Sequence, residues 1–177
     1  MPVLTVVAYP DPRLRRPAAP VEAFDAALEA EAAALLQGLR EIPARGLAGP
    51  HLGIMRRIVA IDLKDGGRSA PQVFVNPVVL ASSSETAVHE EGSVSLPGMH
   101  EKIERPARVT VGWQTPQGEV REASFEGFMA ACLQHEIDQC DGVFWLERLS
   151  RLRRDRLLSR FDKLNRQTTK ERTAGAR

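Results

Sequence analysis

Three stretches of the chain place apolar side chains at three- and four-residue intervals, the period of an amphipathic helix. Glu22 to Glu41 carries Phe24, Leu28, Leu35, Leu36 and Leu39 in an alanine-rich background, and Pro43 stops it. A second run starts near Phe125 and ends near Asp141-Gly142. A third, Leu149 to Leu164, turns Leu152, Leu157, Leu158, Phe161 and Leu164 to one side. The other apolar runs are short and strand-like: Leu4 to Val7, Arg57 to Leu63 ending at the turn Asp65-Gly66-Gly67, and Lys102 to Glu104. Val73 to Leu80 reads as one strand bent at Asn76-Pro77. Arg108 to Trp113 and Glu119 to Phe125 form a hairpin through Thr115 to Gly118. Thr86 to Glu91 alternates only weakly. Three segments predict irregular backbone: the four-proline arm Tyr9 to Val21, the loop Ala44 to Gly53 with three glycines, and Glu91 to Gly98. The order predicts an α+β fold over residues 1–165, with short, mostly antiparallel strands around a central helix and helices near both ends. Residues 166–177 predict a polar, basic, disordered tail.

Composition adds compartment and charge. At 177 residues one domain with a sizeable core is expected. No apolar run is long enough to cross a bilayer, and the opening Met-Pro-Val-Leu-Thr-Val-Val lacks a basic segment before an apolar core. Cys132 and Cys140 lie eight apart on one predicted helix, a rise of about 12 Å and too far for a disulfide. Reduced thiols and the missing leader predict a cytoplasmic protein without membrane partners. The net charge of +1 conceals an asymmetry. From Arg151 onward there are ten Lys/Arg against three Asp/Glu, which leaves 14 against 20 in the rest. A basic terminal helix could meet an acidic partner such as the RNA of a ribosome, or lie solvated on its own.

The candidate chemistry sits in Leu133-Gln-His-Glu-Ile-Asp-Gln-Cys140, a polar centre in an apolar helical run. On a helix His135 and Gln139 share a face, with Glu136 beside it. The spacing is that of H-E-x-x-H, where two imidazoles hold a metal and the Glu takes a proton from its water. Gln139 stands where the second His would be, and an amide oxygen is a poor ligand for such a site.

Three segments in order, Ala44-Arg-Gly-Leu-Ala-Gly-Pro-His51, Glu91-Gly-Ser-Val-Ser95 and Gln134-His-Glu-Ile-Asp-Gln139, resemble the motifs of the peptide deformylase family. The similarity extends to Pro10-Asp-Pro-Arg-Leu14, Arg105 and Gly142 to Ser150, and covers about Pro10 to Arg154. The resemblance implies the peptide-deformylase-like fold and hydrolysis of an N-formyl, or other small N-acyl, group from a peptide amino terminus. It also implies a divalent metal, Fe, Zn or Ni, held by a Cys thiolate and two His. By position His135 is a metal ligand and Glu136 the general acid/base. The N–H of Val94 is an oxyanion donor, and the backbone of Arg45, Gly46, Leu47 and Gly92 holds the peptide. Four departures fall in the site. Ser93 replaces the ligand Cys, Gln139 the second ligand His, and His51 the oxyanion Gln. Arg45 and His89 occupy two positions of an apolar side-chain pocket, where a charged Arg45 would close the pocket or select a different, acidic group. Several readings stay open: an ion held by His51 and His135 with Ser93, Gln139 or Glu136; His51 filling space beside Gln139 or Glu136 without an ion; and a non-catalytic relative that binds peptide termini or the ribosome.

Overall fold

The computed structural model of the chain describes residues 5–174. Its elements run α1 (Ala26–Glu41), β1 (Gly46–Ala48), β2 (Ile58–Ile61), β3 (Gln72–Ser82), β4 (Thr86–Ser93), β5 (Leu96–Pro106), β6 (Arg108–Gln114), β7 (Val120–Glu126), α2 (Gly127–Cys140) and α3 (Arg151–Ala174), with short 3-10 turns between. The strands form a five-stranded sheet in the order β1-β2-β3-β6-β7 and a separate hairpin, β4-β5, with every pairing antiparallel. This is the expected α+β arrangement.

Most boundaries follow from local chemistry. α1 begins at Ala26 because the Asp25 carboxylate accepts the Leu28 N–H at 3.1 Å and caps the first turn. α2 begins at Gly127, since Phe125 stays in β7 opposite Val109. β3 is bent at Asn76, whose φ of 50° suits the short amide side chain. That amide accepts from the Val21 N–H at 2.7 Å and donates to Val21 O and to Gln114 Oε1, both at 2.9 Å. The bend thus pins the proline-rich arm to the sheet.

β2 is buried along its whole length because both faces are covered. Ile58 and Ala60 pack with Leu28, Leu35 and Leu39 of α1. Val59 and Ile61 face the other way, into a core with Phe74, Val111, Leu133 and Ile137. A third core joins the hairpin to Phe144, Trp145, Leu146 and Leu157, through Leu96, Met99 and Ile103. Cys140 is buried and Cys132 half-buried, both as free thiols.

Three expectations are corrected. Thr5 to Ala8 forms no strand, while Leu4 lies outside the described residues. Glu91 to Gly98 is not irregular: it is the tip of the β4-β5 hairpin, with Gly92 opposite His100 and Ser93 opposite Leu96 across a register shift. Gly92 is required there, because a Cβ would lie 2.6 Å from His100 Cδ2 and 2.8 Å from Met99 O. Finally, α3 continues past Leu164 to Ala174, over residues whose polar composition predicts disorder, and residues 175–177 lie outside the described part.

Candidate active site

α2 lies beneath both β1 and the hairpin, so its polar middle is covered. Gln134, His135, Glu136, Asp138 and Gln139 are all buried. A buried polar group is costly unless it is paired, and each finds a different solution.

His135 Nδ1 lies 2.8 Å from Glu91 Oε2. Arg105 grips Glu91 with two hydrogen bonds, at 2.5 and 2.9 Å, and reaches Asp138 at 2.8 Å. Arg148 then closes on Asp138 at 2.5 and 2.9 Å. Burial opposes the charge of Glu91, but His135 and Arg105 outweigh it and hold the carboxyl down at about 2. Burial likewise opposes charge on His135, and the Glu91 hydrogen bond and the nearby Glu136 raise its pKa despite that. An ionised Glu91 can only accept, so the His135 Nδ1 carries a proton.

His51 is 1% exposed. Its Nδ1 accepts the Ala48 N–H at 3.1 Å, and Glu136 Oε2 stands 3.5 Å from the same nitrogen. Burial, reinforced by the charge on His135, pushes its pKa down to about 3, so the ring is neutral. A neutral ring that accepts at Nδ1 carries its proton on Nε2. That Nε2 is buried and without a partner among the described residues, as is Glu136 Oε2. Burial pushes Glu136 up to about 7. Its Oε1 lies against Gly46, where a Cβ would be only 2.6 Å away, so only glycine lets β1 approach the carboxylate.

These groups meet a cavity of about 570 Å³ between β1 and the hairpin. Of the residues named from the sequence, Arg45, Gly46, His51, Gly92, Ser93, Val94, His135 and Glu136 line it. Leu47, His89 and Gln139 do not. Leu47 points into the α1 core. His89 packs against Phe128, ring centroids 6.0 Å apart. Gln139 donates its amide to Leu14 O at 2.8 Å, tying the N-terminal arm to α2.

The donor set does not fit the ion that the resemblance implies. His135 offers one oriented imidazole nitrogen. Ser93 offers a hydroxyl that already accepts the Ser95 N–H at 3.2 Å. The amide NH2 of Gln139 is committed to Leu14. Among the described residues no three His, Cys, Asp or Glu side chains are grouped to hold a metal.

Sequence reasoning missed Phe128 and Cys132, which line the cavity, and the Arg148–Asp138 pair. The helical period places Phe128, Cys132 and His135 on one face of α2, and that signal was available. Nothing local marks Arg148 as the partner of Asp138.

A family model described as polypeptide deformylase matches residues 3–155. A peptide deformylase-like protein of Rhizobium meliloti is 46% identical over 166 residues, covering 94% of this chain and 95% of its own. Among solved structures, a peptide deformylase from Legionella pneumophila superposes with a TM-score of 0.86 at 33% identity, covering 95% of this chain and 98% of its own. The class I type b enzyme of Acinetobacter baumannii, with Met-Ala-Ser bound, gives 0.77 at 33% identity, covering 83% and 98%. Sequence and fold agree: the chain belongs to the peptide deformylase family.

Proposed function

We propose that the chain receives an N-formyl, or other small N-acyl, peptide terminus in this cavity and hydrolyses the acyl–nitrogen bond. The observation that carries the reading is the convergence of an unpartnered N–H donor, His51 Nε2, with a carboxyl raised to about 7, Glu136, on one buried space. Family membership supplies the class of substrate, and Met-Ala-Ser in the Acinetobacter baumannii structure is a peptide of the corresponding kind.

The proposed roles are these. Water adds to the acyl carbonyl and gives its proton to Glu136, whose raised pKa lies near working pH. The carbonyl oxygen gains charge and is met by His51 Nε2–H, with the Val94 N–H at the hairpin tip as second donor. Glu136 returns the proton to the amine nitrogen as the carbon–nitrogen bond breaks. The products are the carboxylic acid, formate for a formyl group, and a free amine. β1 and β4 border the cavity, and the backbone of Arg45, Gly46 and Gly92 flanks an extended peptide there.

A second reading is a peptide-terminus binder without turnover, favoured by Ser93 and Gln139 in place of stronger ligands. One assay separates the two. Protein purified without a His tag is incubated with N-formyl and N-acetyl tripeptides, and free amine is followed by mass spectrometry. Release that falls by about 10² or more in Glu136→Gln and in His51→Phe is the expected result. Saturable binding without release would establish the binder, and neither binding nor release would remove both.

A further inference from the structure

We infer that the outer part of the cavity selects an acidic first side chain, Asp or Glu, on the acylated peptide. This rests on the peptide-terminus reading above. Arg45 stands at the mouth, where its Nη1 donates to Leu63 O at 2.8 Å. That single tether leaves the other guanidinium donors open, and Arg45 pairs with no carboxylate among the described residues. The adjoining wall of α2 is made of Phe128, Ala131 and Cys132. Phe128 and Ala131 suit methylenes and offer no charge.

The acids that line the cavity, Glu90, Glu91 and Glu136, form no ion pair with Arg45. Glu91 is neutralised by Arg105 and His135. The Cys132 thiol stays protonated, because burial and the nearby Glu136 and Glu91 push it up to about 12 against the opposing effect of Arg45. Glu90 lies on β4, across the cleft. A carboxylate entering beside Phe128 therefore meets an open guanidinium, which favours bidentate carboxylates over other groups. A methionine-like side chain would gain the same apolar wall but bury part of that guanidinium without compensation.

Glu and Gln as first residues of otherwise identical peptides differ only by charge and isolate the effect. The measurement is competition binding of free tripeptides X-Ala-Ser with X as Glu, Asp, Gln, Met or Lys, at low and high salt, on wild type, Arg45→Met and Arg45→Glu. Glu should bind about threefold to tenfold tighter than Gln at low salt, the size of a partly exposed charge pair. The margin should shrink in high salt, vanish in Arg45→Met and turn toward Lys in Arg45→Glu. Met or Lys binding as well as Glu to wild type overturns the inference while leaving the peptide-terminus reading standing. An acid preference that survives Arg45→Met also overturns it. No binding of any peptide removes both.

Discussion

Replacing Glu136 by Gln should make the protein more stable at alkaline pH. Glu136 is 5% exposed, and burial raises its pKa from 4.5 to about 7. At ~1.36 kcal/mol per pH unit, ionised Glu136 costs the folded state roughly 3 kcal/mol at pH 8. The direction follows from proton counts. Between pH 4.5 and 7 the folded protein holds a proton on Glu136 that the unfolded chain has lost, so this group makes stability fall as pH rises. His51 works the other way. Its pKa is lowered from 6.5 to about 3, so between those values the unfolded chain binds the extra proton and stability rises with pH. The two slopes oppose each other in wild type, and only the difference between wild type and Glu136→Gln isolates the carboxyl. The assay is urea denaturation of both proteins from pH 4.5 to 8.5. Glu136→Gln should gain up to about 3 kcal/mol at pH 8, or roughly 6–12 °C in Tm for a chain of this size, and little or nothing at pH 4.5. A variant no more stable than wild type at pH 8 would refute the claim that this carboxyl is held charged at a cost.

Three other outcomes follow from the site. Arg105→Met leaves Glu91 and Asp138 as buried carboxylates without their shared cation, and chemical denaturation should show a loss of about 3–5 kcal/mol; a loss under 1 kcal/mol would mean water replaces the guanidinium. Gln139→Leu removes the donor to Leu14 O and should cost about 1–3 kcal/mol, whereas Gln139→His, which can offer an N–H to the same carbonyl, should cost less; equal losses would assign the effect to packing. Ser93→Cys with Gln139→His and His51→Gln supplies thiolate, two imidazoles and an amide, and elemental analysis after anaerobic purification should find close to one divalent ion per chain; an ion-free triple variant would show that the cavity itself has been reshaped.

The helices were legible because apolar residues recur at three- and four-residue spacings, and the bend in β3 because Asn76-Pro77 combines an amide that tolerates positive φ with an imide that cannot donate. The hairpin tip was not. Its glycines and proline carry the composition of a loop, yet Gly92 lies within a strand because His100 and Met99 leave no room for a Cβ. The position of His135 and Glu136 on a buried helix face followed from spacing alone. Their partners did not, since Glu91, Arg105 and Arg148 reach α2 from three other parts of the chain.

The exchange between His51 and Gln139 shows why residue identity alone leaves the chemistry of this site open. Each side chain is tied to a backbone group. His51 Nδ1 takes the Ala48 N–H, and the Gln139 amide serves Leu14 O. What distinguishes them is the atom left over. His51, which lines the cavity, keeps a protonated Nε2 without a partner among the described residues, while Gln139 does not line the cavity. A ring whose remaining nitrogen carries hydrogen is a donor to oxygen and cannot ligate a metal without first losing that proton. The backbone tie from Ala48 therefore selects hydrogen-bond donation over metal ligation for His51, and it does so through a tautomer that no residue type or spacing specifies.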